Sequence, residues 1–213
     1  MFYDPRKNDH GLPHNPLNAL VVPRPIAWIS SLSRAGVVNL APYSFFNLVS
    51  YQPPYLMFAS TDPKDSRRNI EETGEFVVNM ATWSLREEVN YTSIMTEPTM
   101  SEAELAGIDM IPSHVVRPSR VAQSPVALEC RYAKTVALDD YDGTPAPSAM
   151  IIGQIVGVYI DDAVIVNGRV DLAEQALSRL GYLDFGVIST VVTMPRPERD
   201  TPPPGAGLLS DPH

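Results

Sequence analysis

Pro23 and Pro25 flank Arg24 at the head of an apolar run, and two prolines within three positions exclude a helix there. Ile26 to Ile29 then suits a strand, Arg34-Ala35-Gly36 a turn, and Val37 to Leu40 a second strand, together a β-hairpin. A short loop follows in which Tyr43, Ser44, Phe45, Phe46 and Asn47 crowd hydroxyls, an amide and aromatic rings together. That mixture suits a flat, partly polar ligand better than a pure core; the plainer reading makes Trp28 and Phe46 core, Tyr43 a loop anchor and Ser30 a strand residue facing water.

A helix with both ends marked comes next. Asp62 or Asp65 can serve as its N-cap, Pro63 is tolerated in a first turn, and Gly74 can end it before a strand over Glu75 to Met80. Either cap leaves Ser66 near the helix start, where free backbone N–H groups beside Lys64, Arg67 and Arg68 would attract a phosphate. The competing reading pairs these cations with Glu71 and Glu72 one turn along a solvated surface helix.

Further on, Trp83 to Tyr91 and Ser101 to Gly107 read as short helices, the second with Ser101 as cap and Glu104 at the capping-box position. The proline-bearing strip Asp109 to Ser124 reads as a loop. Val126 to Asp139 and Ala149 to Asp161 are long strand candidates, joined by the turn-rich run Asp140 to Pro145. Apolar runs such as Ile155 to Ile160 imply strands covered on both sides. One domain over 1–194 and a proline-rich tail over 195–213 are expected.

Composition narrows the classes. The chain has 213 residues, 44% hydrophobic and 19% charged, enough for one sizeable core. Its 16 Lys and Arg against 25 Asp and Glu give a net charge of −9, which argues against nucleic acid or an anionic membrane as the main partner. No apolar run of about 18 residues is present, and the start MFYDPRKNDHG has no apolar core of a secretory signal, so cytoplasmic residence is the expectation. Cys130 lies in an apolar run, where a buried inert thiol is expected. His10, His14, His114 and His213 show no metal-ligand spacing, and no metal site is expected. Neither a Gly-x-Ser-x-Gly elbow nor a dinucleotide-binding glycine motif occurs.

Six segments carry a joint pattern: Arg24 to Ser30, Asn39 to Asn47, Lys64-Asp65-Ser66 with Arg68-Asn69-Ile70, Thr73 to Asn79, Arg120-Val121-Ala122 with Ser124 to Cys130, and Ile152 to Val156. Together they resemble the flavin reductase-like, FMN-binding split-barrel family, which includes flavoredoxins and the reductase components of two-component monooxygenases. The resemblance implies a mainly β fold, a six-stranded antiparallel Greek-key split barrel with flanking helices, and a homodimer. It also implies FMN, with NADH or NADPH as electron donor and a partner monooxygenase or small molecule as acceptor. No catalytic side chain is implied, because the cofactor carries the hydride chemistry. The alternative activity is that of an FMN-binding electron carrier, as in flavoredoxins.

Carried over residue by residue, the resemblance places the flavin ring against Trp28 to Ser30 and the loop Tyr43, Ser44, Phe45, Phe46 and Asn47. Ser60 and Thr61 would border the ribityl chain, and Lys64, Ser66 and Arg67 or Arg68 would hold the phosphate. The Asp109 to Ser124 loop would lie near the pocket mouth. Two departures from the family pattern stand out: Tyr159 where relatives often carry histidine, and Gly181 to Phe185 in place of a glycine-rich aromatic stretch.

Overall fold

The hairpin leads the fold. In the computed structural model, which describes residues 1–172, 175–194 and 196, strand β1 (Arg24–Pro25) runs into β2 (Ala27–Leu32). β2 turns at Ser33 to Val37 and returns as β3 (Val38–Tyr43), in register from Ala27 opposite Tyr43 to Leu32 opposite Val38. Gly36 sits at φ 83°, in the left-handed region that glycine enters without a Cβ penalty, and its N–H donates to Ser33 O.

Only Ser44 and Phe45 separate β3 from β4 (Phe46–Tyr51), so Phe46 and Asn47 belong to a strand and not to the expected loop. β4 pairs back on β5 (Pro54–Ser60), and β6 (Glu75–Met80) follows helix α2 (Asp65–Thr73), the helix α1 being the short turn Leu17–Leu20. Helices α3 (Arg86–Tyr91) and α4 (Glu102–Leu105) come next, Ser101 Oγ accepting from Glu104 N as its sequence position implied. The short strands β7 (Met110–Ile111) and β8 (Arg120–Val121) pair within the strip read as loop. β9 (Val126–Ala137) and β10 (Ala149–Ile160) form the long hairpin, and β11 (Ile165–Val166) pairs with β12 (Arg169–Val170). Last come β13 (Ser178–Arg179), which pairs with β1, and β14 (Phe185–Gly186). The expected tail at 195–213 lies, apart from residue 196, outside the described residues.

The principal antiparallel sheet has the order β3-β2-β6-β9-β10-β5-β4, seven strands where six were expected. Its two edges, β3 and β4, are consecutive in sequence. Three peptide links reach at most about 11 Å, whereas a flat seven-stranded sheet is about 29 Å wide. The sheet therefore curls until its edges meet at Ser44–Phe45, and Ala59 N donates to Phe45 O to pin the junction. A mainly β, split-barrel architecture follows.

Alternation along β2 shows how both faces are used. Ala27 and Ile29 join the cluster of Tyr43, Leu56, Phe58, Ile70, Phe76, Val78, Cys130 and Ile151. Trp28 points the other way, into a second cluster with Leu40, Ala81, Val89, Ala103 and Val121. Cys130 is fully buried, and burial pushes its thiol well above the ordinary range, consistent with an inert core residue.

The strip 109–124 is tied to the sheet and lines neither cavity described below. Its anchor is Glu129 on β9, whose buried carboxylate accepts from the backbone N–H groups of His114 (2.8 Å), Val115 (2.5 Å) and Val116 (3.2 Å). Burial pushes the Glu129 carboxyl up, but these bonds together outweigh it and hold it below the ordinary value. A depressed folded pKa stabilises the fold above the unfolded pKa, near 4.5, and the contribution is lost as pH falls through the folded value. Glu129→Gln should cost about 1–3 kcal/mol at neutral pH, and its gap to wild type should narrow below pH ~4. Urea unfolding at both pH values checks this; an equal gap at both would contradict the role of the charge.

Candidate functional site

Helix α2 packs across β2 and β3 because Ser66, Asn69 and Ile70 fall on one face, and all three are buried. Lys64 holds the N-cap position in an extended conformation, and no side chain caps the helix. The expected caps act otherwise: Asp62 offers its backbone carbonyl to Ser60 Oγ and Lys64 N, while the Asp65 carboxylate pairs with Arg68. First-turn amides are thus left without a side-chain partner at a positive helix end. At the other end Gly74, at φ 79°, closes the helix by donating to Ile70 O, as expected.

The uncapped end opens into a cavity of ≈ 360 Å³, within the range of small-molecule sites. Of the residues singled out in the sequence, Tyr43, Ser44, Phe45, Ser60, Thr61, Lys64 and Ser66 line it together. Lys64 is exposed and makes no ion pair among the described residues.

The other six singled-out residues do not reach the cavity. Trp28 is fully buried on the outer face of β2, its Nε1 donating to Thr92 Oγ1 at 2.8 Å, so it stands behind the cavity wall. Ser30 is likewise sealed, donating to Ser119 O at 2.6 Å. Phe46 packs against the main core cluster, and exposed Asn47 accepts from Leu48 N. Arg67 bonds Glu71 at 3.0 Å and Arg68 bonds Asp65, so the helix's own carboxylates hold both cations.

Tyr43 gives the cavity its most telling polar atom. The side chain is 8% exposed, its ring packs on Phe58 at 4.8 Å, and its Oη has no hydrogen-bond partner among the described residues. Burial pushes its pKa up; the Ser66 and Ser60 hydroxyls nearby act against that without completing a bond, and the Asp65 and Glu102 charges add to the rise. The hydroxyl keeps its proton at neutral pH and stands as an unused donor.

Sequence reasoning missed the opposite wall. Thr92, Ser93, Ile94, Met95 and Thr96, following α3, line the cavity together with Asn39 and Glu102. The hydroxyl-rich run at 92–96 was a local signal; Asn39 and Glu102 carried none, because their role is to each other. Glu102, 4% exposed, accepts from Asn39 Nδ2 through both oxygens at 3.0 Å, from Leu40 N at 3.2 Å and from Thr96 Oγ1 at 3.1 Å. Asn39 Oδ1 in turn accepts from Ser66 Oγ at 2.6 Å. A serine hydroxyl has one proton, and here it is engaged with Asn39, so Ser66 faces the cavity as a donor through its backbone N–H.

A second cavity, ≈ 340 Å³, adjoins the first and shares Pro42, Ser44, Phe45 and Ser93 with it. Its far side holds Arg24 and Arg179.

The flavin reductase like domain matches residues 19–172 of the chain. A protein of Halalkalibacterium halodurans is 36% identical over 183 residues, covering 83% of this chain and 87% of its own. Among solved structures, nitrilotriacetate monooxygenase component B from Bacillus cereus is similar with a TM-score of 0.83 at 28% identity, over 91% of this chain and 98% of that one. Pseudomonas fluorescens 2-nitrobenzoate 2-nitroreductase is similar with a TM-score of 0.78 at 32% identity, over 89% and 92% of the two chains.

The Ser66 to Glu102 relay makes a stability prediction. Ser66→Ala should remove the strongest donor to Asn39 Oδ1 and lower stability by about 1–2 kcal/mol, while leaving the backbone N–H at 66 in place. Chemical denaturation reads the loss, and an unchanged midpoint would mean the relay holds nothing.

Proposed function

This chain belongs to the flavin reductase-like family, and from that premise we propose that it is an FMN-dependent oxidoreductase using NADH or NADPH as electron donor. The observation that carries the proposal is the joining, in one cavity, of the uncapped α2 amides, the exposed Lys64 and the unpartnered buried Tyr43 hydroxyl. An elongated cofactor with an anionic end and a flat polar ring is complementary to that set.

FMN, when bound, supplies the hydride-accepting chemistry. The protein's part is to hold and orient. Lys64 and the amides at the start of α2 would hold the phosphate, Ser60 and Thr61 would border the ribityl chain, and the Tyr43 hydroxyl would donate a hydrogen bond to a polar atom of the cofactor. Ser44 and Phe45 border both cavities, so a second molecule held in the neighbouring space would meet the cofactor at their junction, in the direct contact that hydride transfer requires. No side-chain acid or base is needed, so the residues act by positioning and by excluding water. Arg67 and Arg68 serve the helix through Glu71 and Asp65.

Likeness to a monooxygenase component and to a nitroreductase supports electron delivery either to a partner monooxygenase or to a small acceptor. The same reading takes the protein to be a homodimer, a second copy covering the exposed apolar side chains Leu48, Val49 and Tyr51 on β4 and Val156 and Val158 on β10.

Anaerobic titration of the FMN-reconstituted protein with NADH and with NADPH tests the activity: rapid loss of oxidised-flavin absorbance with one of them is expected. Bleaching by dithionite alone would move the reading to an electron carrier. In the same preparation Lys64→Ala should weaken FMN binding about 5-fold, or about 1 kcal/mol. An unaltered affinity would remove the phosphate from the α2 terminus.

A further inference from the structure

In the β1–β13 pair Arg24 stands directly opposite Arg179. Like charges in that relation repel, and among the described residues neither guanidinium has a carboxylate within ion-pair distance. Arg24 is 9% exposed. Its Nη1 donates to Asn18 O at 2.9 Å and Val21 O at 2.7 Å, which fix the side chain, yet its buried Nε has no partner among the described residues.

Arg179 lies over the Phe185 ring at 4.4 Å and bonds Tyr182 O, so it too is held in place. Burial lowers its pKa, Arg24 lowers it further, and Asp184 acts in the opposite direction without forming an ion pair. Both arginines face the ≈ 340 Å³ cavity, and the Arg24 guanidinium sits 5.6 Å from the Phe45 ring at the boundary with the first cavity. Two anchored, partly desolvated cations without a counter-ion, beside an exposed aromatic ring, are built to receive an anion attached to a flat group.

We infer that Arg24 and Arg179 form an oxyanion site for the carboxylate or phosphoryl group of the molecule whose reacting group meets the flavin where the two cavities join, beside Ser44 and Phe45. This rests on the flavin reading of the first cavity. The segment Gly181 to Phe185 supplies Tyr182 and Phe185 to this wall. The shared chemistry has two sources, the diphosphate of a nicotinamide dinucleotide or the carboxylate of an aromatic acceptor.

Calorimetric titration of FMN-loaded protein with inorganic pyrophosphate and, separately, with benzoate distinguishes them, because bound FMN keeps the α2 terminus filled. Saturable binding of at least one probe is expected. Arg179→Gln should weaken it about 10-fold or more, and Arg179→Lys should weaken it less, since it keeps the charge and loses the fork. Pyrophosphate binding that NADH displaces assigns the site to the donor, and benzoate binding alone assigns it to the acceptor. Absence of binding by both probes, or an Arg179→Gln variant that binds as wild type does, overturns the site.

FMN affinity is read separately by fluorescence quenching, and Arg179→Gln should leave it within about 2-fold. If FMN fails to bind the wild-type protein, the flavin reading falls and the electron-exchange role falls with it. Arg179-dependent anion heat in the flavin-free protein would then show an anion site of another purpose.

Discussion

Ser44 and Phe45 join strands that occupy opposite edges of a seven-stranded sheet, and a link of that length cannot cross a flat sheet. Curling is imposed by chain connectivity, and the remaining arrangement depends on it. The rolled sheet encloses the cluster around Phe58 and Phe76, and it brings the start of α2 within reach of the junction. It also leaves Phe45 half exposed, held by its backbone bond with Ala59 and not by burial of its ring. The junction is therefore the wall common to both cavities.

Buried charge is treated in two ways on the two sides of that wall. Glu102 is fully provided with donors from Asn39, Leu40 and Thr96, so its charge is internally satisfied and its work is to fix the cavity floor. Arg24 and Arg179 are anchored through carbonyls and rings, which orient them without neutralising them. Neutral partners hold a cation in place while leaving its field available, and that difference separates a structural charge from one free to act on a ligand.

Local signals in the sequence were reliable where a single segment determined the outcome. The Gly74 end of α2, the Ser101 cap, the proline-bounded hairpin and the buried Cys130 all depend on neighbours a few positions away. Seven of the expected cofactor-binding residues line one cavity for the same reason, since 43–45 and 60–66 are compact segments that carry their own chemistry. Asn47 was read as a loop residue but lies on β4, which begins at Phe46, and a residue's face on a strand follows register with β5, which local composition does not encode. Trp28 and Ser30 do not line the cavity, because β2 is covered on both faces and alternation turns them into the interior on its other side. Arg67 and Arg68 depended on whether a carboxylate one turn away or an outside anion claimed them, and Glu71 and Asp65 do so in the folded chain.

By itself the sequence determined the class of fold, the chain segments that carry hydroxyls, rings and cations, and the family to which they belong. It did so because proline geometry, strand-forming runs and helix caps act over a few residues. The tertiary structure alone decided that β3 and β4 are opposite edges, that Glu102 lies beneath Ser66, and that Arg24 stands across from Arg179. The last two bring together residues tens and more than a hundred positions apart, and all three arrangements exist only once the sheet has closed.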